Sequence, residues 1–356
     1  MSDNSIHLLK RDDFFPDNIE DLKKTLNKIE LTHSDFIDLN NKFFTDGNVI
    51  EGSVEANFFV DYITFLHTKK GFNWNQVYFD IKDGKPENLA LYLIENEYPE
   101  SIIRALFKNG FNPNVYSMAE FETPIFMHCL RYRKEYVPLL LESGVDVYKS
   151  NSLDENFIKY CIDNNDYELF KNIIKDNPLP KNFKSNELNR FIYGFSNLIH
   201  YDKYDNIIKF FNDLKETGIN ENNRMSGIFK DLFDKYKYTN AKQPIFNLVD
   251  NLFNNGLESN LYNKDTAAHD PIILTFIEKF WSYEQKIEDL LNDNLFLLIF
   301  DNTVGLEVFK TIKWDDYFSD EEIVEFKKWV TLKEKEKIID SINNDNTIIT
   351  PIKRRI

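Results

Sequence analysis

The chain has 356 residues, of which 42% are apolar, with only 11 Gly and 11 Pro, so it can bury its own surface and is not intrinsically disordered. Its formal net charge of −16 repels phosphate backbones and anionic membranes, which argues against direct nucleic-acid or membrane binding. The natural partner of such a surface is a basic protein, although the same charge also keeps a Phe-rich chain soluble.

In chain order, the first expected element is a helix over residues 16–30. Pro16 suits a first helical turn, and Ile19, Leu22, Leu26 and Ile29 form one apolar stripe. Thr32 or Ser34 caps a second, short helix that ends near Phe44, ahead of the turn Asp46-Gly47-Asn48. A third helix over 54–68 carries Phe58, Phe59, Tyr62, Phe65 and Leu66. Residues 1–70 read as an N-terminal helical cap.

A turn then recurs: GFNWN from Gly71, GFNPN from Gly110 and GVDVY from Gly144, the last two glycines standing 34 residues apart. Paired helices lie between the turns. Pro86 and Pro99 start helices over 87–96 and 100–109; TPIFMHCL, with its helix starting at Pro124, opens a pair that runs through Leu139-Leu140-Leu141 to Gly144. Residues 154–163 and 167–177 form the next pair, with Asn177 expected to end it in the left-handed conformation. Beyond Pro180 the spacing loosens. Helices over 187–199 and 206–216 end at Gly218, those over 225–236 and 244–255 end at Gly256, and DPIILTFI from Asp270 reopens the pattern. Ser319 and Glu322 make a capping box for a last helix over 320–342, with Ile323, Phe326 and Val330 on its apolar face. The expected organisation is all-α: helical repeats over 71–315, a capping helix within 316–342 and a flexible tail over 343–356.

The repeat spacing, the Thr123-Pro124 helix start, the leucine triplet and the G-x-D/N-x-x turns at Gly110 and Gly144 resemble ankyrin repeats, best over 86–177 and more loosely from 71 to 314. Phe126 stands where that motif usually has His, and the intervals from Asn177 to Gly218 and on to Gly256 swell to 41 and 38 residues, which implies an irregular array. The resemblance implies an ankyrin-like α-solenoid in which neighbouring pairs bury one continuous ribbon, capped at both ends. One elongated domain is the expectation, and a cut at Asn177 should leave two aggregating halves.

Signals for chemistry are thin. There is no phosphate-binding glycine loop, no G-x-S-x-G and no H-E-x-x-H. His200, Asp202 and Asp205 in HYDKYD are near enough in sequence to converge on a metal, but a solvated connection between helices is the plainer reading, and His33 with Asp35 and Asp38 reads the same way. His128 reads as a packing or groove residue. Carboxylate pairs such as Asp12-Asp13, Asp315-Asp316 and Glu321-Glu322 offer no reason to choose one as acid and base. Cys129 and Cys161, 32 residues apart, fall at equivalent places in successive first helices as small buried apolar residues. No cofactor and no metal are expected. The start of the chain has no signal-peptide run and no segment is apolar enough to span a bilayer, so a cytoplasmic protein is expected.

Ankyrin-like arrays, by resemblance, bind proteins through the tips that follow each turn and the exposed side of the first helices. Carried onto this chain, the tips are 74–79, 116–122, 148–155, 222–225 and 261–265. Trp74, Tyr78, Tyr116, Met118 and Tyr148 are the candidate apolar anchors, ringed by Asp80, Asp83, Glu120, Glu122, Asp154 and Glu155, which would face a basic partner. The alternative is that the rings fold back onto the helices beneath. The chain further resembles the ankyrin-type immunity proteins of bacterial toxin systems. That implies a non-enzymatic inhibitor, monomeric when free, that occludes the active site or substrate groove of a basic toxin. An effector or adaptor binding a host protein, and more remotely an enzyme with a site scattered over the repeats, are the alternatives.

Overall fold

The computed structural model describes residues 15, 18–44, 49–69, 72–76, 78–81, 85–117, 122–217, 225–238, 242–257, 260–263, 268–280, 286–302 and 318–346. These residues are mainly helical, with three two-stranded antiparallel hairpins among them. The chain divides into two compact units, Met1–Asn164 with Glu168–Pro178 and Asn165–Tyr167 with Leu179–Ile356. Each unit is described on its own.

The first unit opens with α1 (Ile19–Leu26), α2 (His33–Phe43) and α3 (Val54–His67). Thr32, not Ser34, caps α2: its hydroxyl accepts from Asp35 N at 3.3 Å, and the Asp35 carboxylate accepts from Thr32 N at 2.8 Å. Ser53 caps α3 through Ala56 N at 3.1 Å. The rings of Phe43, Phe44, Phe58, Phe59 and Tyr62 stack between these helices; Phe44 and Phe59 have centroids 4.9 Å apart.

A 3-10 turn (Trp74–Gln76) leads to the hairpin β1 (Tyr78–Ile81) and β2 (Lys85–Asn88), then α4 (Leu89–Glu95) and α5 (Glu100–Lys108). The next pair repeats the plan with β3 (Tyr116–Ser117), β4 (Thr123–Pro124), α6 (Ile125–Tyr132), a 3-10 turn (Lys134–Tyr136) and α7 (Val137–Glu142). Helices α8 (Phe157–Asp163) and α9 (Tyr167–Asp176) follow, α9 belonging to this unit from Glu168 on. Pro86 does not start a helix, and Pro124 does so only as the cap residue of α6; both lie in strands. A proline pushes its predecessor into extended backbone, and here that extension is used for pairing. The start of α4 is set by Asn88, whose Oδ1 accepts from Leu91 N at 2.9 Å.

Helices α5 and α7 end as expected on left-handed glycines, Gly110 at φ 90° and Gly144 at φ 75°. The following amides close back five residues, Phe111 N to Leu106 O at 3.2 Å and Val145 N to Leu140 O at 3.3 Å. Asn177 departs from expectation: its amide continues the helix with an ordinary bond to Ile173 O, and no left-handed turn forms there. The turns themselves are joined by a ladder. Asn112 Oδ1 and Asp146 Oδ1 accept from the amides two residues on, and across repeats Asn112 N donates to Asn75 Oδ1 at 2.7 Å and Asp146 N to Asn114 Oδ1 at 2.6 Å. The fifth residue of each turn thereby fixes the third residue of the next.

The second unit contains α10 (Ser185–His200), α11 (Tyr204–Leu214), α12 (Met225–Tyr238) and α13 (Lys242–Asn254), then the hairpin β5 (Asn260–Asn263) and β6 (Ala268–Pro271). It goes on with α14 (Ile272–Phe280), α15 (Ile287–Leu291), α16 (Asn294–Asn302) and α17 (Asp320–Asn346). Helices α10, α12 and α14 pack successively, as do α11, α13 and α16, so that alternate helices form two rows. Pro244 sits in the first turn of α13 rather than at its start, where its missing N–H leaves nothing unsatisfied. Ser319 and Glu322 form the expected box, with Ser319 N to Glu322 Oε2 at 2.8 Å, and α17 runs a little past the expected end. The stretch 303–315 expected to close the repeats, and the tail beyond 346, lie outside the described residues. Among the described residues, no helix is long and apolar enough to cross a membrane.

Candidate functional site

The expected contact tips are partly withdrawn from solvent. Trp74 is 2% exposed, its ring set edge-on against Phe72 at 4.3 Å, so it offers no anchor to a partner. Tyr148 is half-buried, its ring 5.4 Å from Phe157 and its hydroxyl donating to Asn177 O. Burial pushes that hydroxyl up to about 12. Tyr116 is also half-buried, with Lys149 Nζ 4.0 Å over its ring. Glu155 pairs with Arg131 at 3.3 Å and is tied at both ends to Asn151, while Asp154 takes the left-handed turn beside it at φ 58°. Glu122 is exposed. Tyr78 and Asp80 lie on β1, opposite Asn88 and Pro86, with their side chains outside the described residues, as are Asp83, Met118 and Glu120 altogether. Of the two remaining tips, 222–224 and 264–265 are likewise outside, while Met225 opens α12 and 261–263 belong to β5.

The first helices carry a repeated column. Tyr92, His128 and Tyr160 occupy the fourth position of α4, α6 and α8, and each reaches back to the chain before it: Tyr92 OH to Phe44 O, Tyr160 OH to Leu130 O at 2.9 Å, and His128 Nε2 to the Glu95 carboxylate. His128 is therefore a packing residue that replaces a tyrosine. Its hydrogen bond, aided by Arg133 at 3.9 Å, holds the Glu95 carboxyl below the usual carboxylate range. A carboxyl depressed in the folded state adds stability above its unfolded pKa and loses it as pH falls through the folded one. Lowering the pH from about 5 to about 3 should accordingly depress Tm more steeply in the wild type than in Glu95→Gln. Equal slopes in scanning calorimetry would remove this link. Cys129 and Cys161 occupy the next position of α6 and α8, both buried, and burial pushes the Cys129 thiol well above its ordinary value.

The sequence pattern HYDKYD resolves into structural bonds. Asp202 turns the chain at φ 58° and accepts from Lys235 Nζ at 2.7 Å and Tyr204 OH at 2.9 Å, which lowers its pKa. Asp35, beside His33, is used in capping α2. Among the described residues no group of three or more His, Cys, Asp or Glu is arranged to hold a metal.

What the fold does assemble is an acidic depression of about 590 Å³ in the first unit. Tyr98, Pro99 and Tyr136 lie buried beneath it, with Tyr136 OH donating to Tyr98 O at 2.8 Å and burial pushing that hydroxyl up to about 12. Glu51, Glu97, Glu100 and Glu135 surround them. Two of these acids are matched: Arg133 lies 2.8 Å from Glu97, and Arg104 lies 3.7 Å from Glu100 while also pairing with Glu142. Among the described residues Glu51 accepts from the Ser101 amide at 3.2 Å, and neither it nor Glu135 has a basic group at ion-pair distance. Arg104, which also lines the depression, feels the charge of Glu51, and Arg133 that of Glu135. Ser101 Oγ is buried without a hydrogen-bond partner, hence without a base to activate it as a nucleophile. The chemistry on offer is electrostatic attraction of a cationic group by the surrounding carboxylates.

Sequence reasoning missed this site because its residues come from three separate connections. The available signal was the dipeptide Glu97-Tyr98 returning as Glu135-Tyr136 at the same link of the next pair. No protein-family model matches the chain, and no curated protein or solved structure is significantly similar to it.

Proposed function

We propose that the chain is a non-enzymatic protein-binding scaffold, built as an irregular ankyrin-like solenoid, that acts in the cytoplasm as an immunity protein. Free as a monomer, it neutralises a basic toxin by covering its active site or substrate groove. The observation that carries this reading is the acidic depression, where among the described residues Glu51 and Glu135 have no basic group at ion-pair distance, in a chain of net charge −16. A field of that sign draws a basic protein toward the surface and rejects anionic competitors. The ankyrin-like reading is supported by the turn-to-turn ladder and by hairpins that precede helix pairs. With Trp74 withdrawn into the core, the contact surface moves from the tips toward the links within the pairs.

The test is capture by the tagged full chain in its native host, followed by expression of the captured protein with and without the chain. One basic protein at equal stoichiometry, released at roughly 1 M salt where the screening length is ~3 Å, and whose toxicity the chain relieves, is the expected result. A captured protein that is harmless alone, or one found only in a foreign host, would replace this reading with the adaptor or effector one.

A further inference from the structure

We draw no further inference here: the strongest candidate, the exposed apolar stripe of Val324, Leu332 and Ile339 along the solvent side of α17, carries nothing because nothing in the structure shows what covers it.

Discussion

Phe59→Ala is expected to remove about 3–5 kcal/mol from the stability of the first unit, most of what a marginally stable core holds in reserve. The ring is 0% exposed and sits where the N-terminal helices meet the first repeat. It stacks on Phe44 at 4.9 Å, meets Phe58 edge-on at 5.8 Å and Tyr98 edge-on at 5.9 Å, and touches Phe15 at 5.4 Å. Truncation forfeits the transfer energy of the ring and leaves a cavity that rigid aromatic neighbours cannot fill, because rings rotate but do not bend into a gap. Phe59→Leu, which keeps most of the volume, should cost about 1.5 kcal/mol, and Tyr238→Ala, at a 79% exposed ring, less than about 0.5 kcal/mol. Urea titrations followed by circular dichroism separate the three. A loss below about 1.5 kcal/mol for Phe59→Ala would mean that the cluster closes around the gap, and the dense packing described for it would be wrong.

Much of the helical layout was legible because it depends on local chemistry. Thr32 and Ser319 mark helix starts through side chains that reach only three residues ahead, and Gly110, Gly144 and Gly256 mark ends because a left-handed turn disfavours a Cβ. The two cysteines fell on one column for the same reason, since the repeat period alone fixes it. Pro86 misled because proline fits equally well at a helix start and at the end of an extended segment, and only pairing with the opposite strand decides between them. The left-handed turn at Glu97 escaped notice because its residue type gives no local warning, whereas those at Asn165 and Asp202 fall on residue types that favour the conformation but also occur widely elsewhere in this chain.

The site was less legible than the fold, and Trp74 explains why. An aromatic residue just after a turn has the same sequence signature whether it projects or folds back, and the choice belongs to Phe72 and the helices beneath it. The acids of the depression are the converse case. Glu51, Glu97 and Glu135 are ordinary in an acidic chain until the fold brings their links together and spends the nearby arginines on Glu97 and Glu100. Charge that remains after internal pairing is a property of the folded chain, and composition reports only its sum.

Glu87→Ala should cost the first unit about 3 kcal/mol or more. The Glu87 carboxylate is 2% exposed and accepts from Asn88 N at 2.9 Å, Asn88 Nδ2 at 2.8 Å and Ser117 Oγ at 2.8 Å. These three donors help make the buried carboxylate tolerable. Asn88 in turn caps α4 through Leu91 N and bonds to Tyr116 O at 3.1 Å on the next hairpin, so one carboxylate positions a helix start and joins two successive hairpins. Alanine strands three donors in a place that water does not reach, whereas Glu87→Gln retains a carbonyl acceptor and should cost only about 1–2 kcal/mol. Faster hydrogen exchange at Asn88 and Leu91 in Glu87→Ala, beyond that in Glu87→Gln, would trace the loss to this network. If both variants exchange alike and lose less than about 1 kcal/mol, the two hairpins are held by apolar packing alone, and the polar link between successive repeats contributes position without stability.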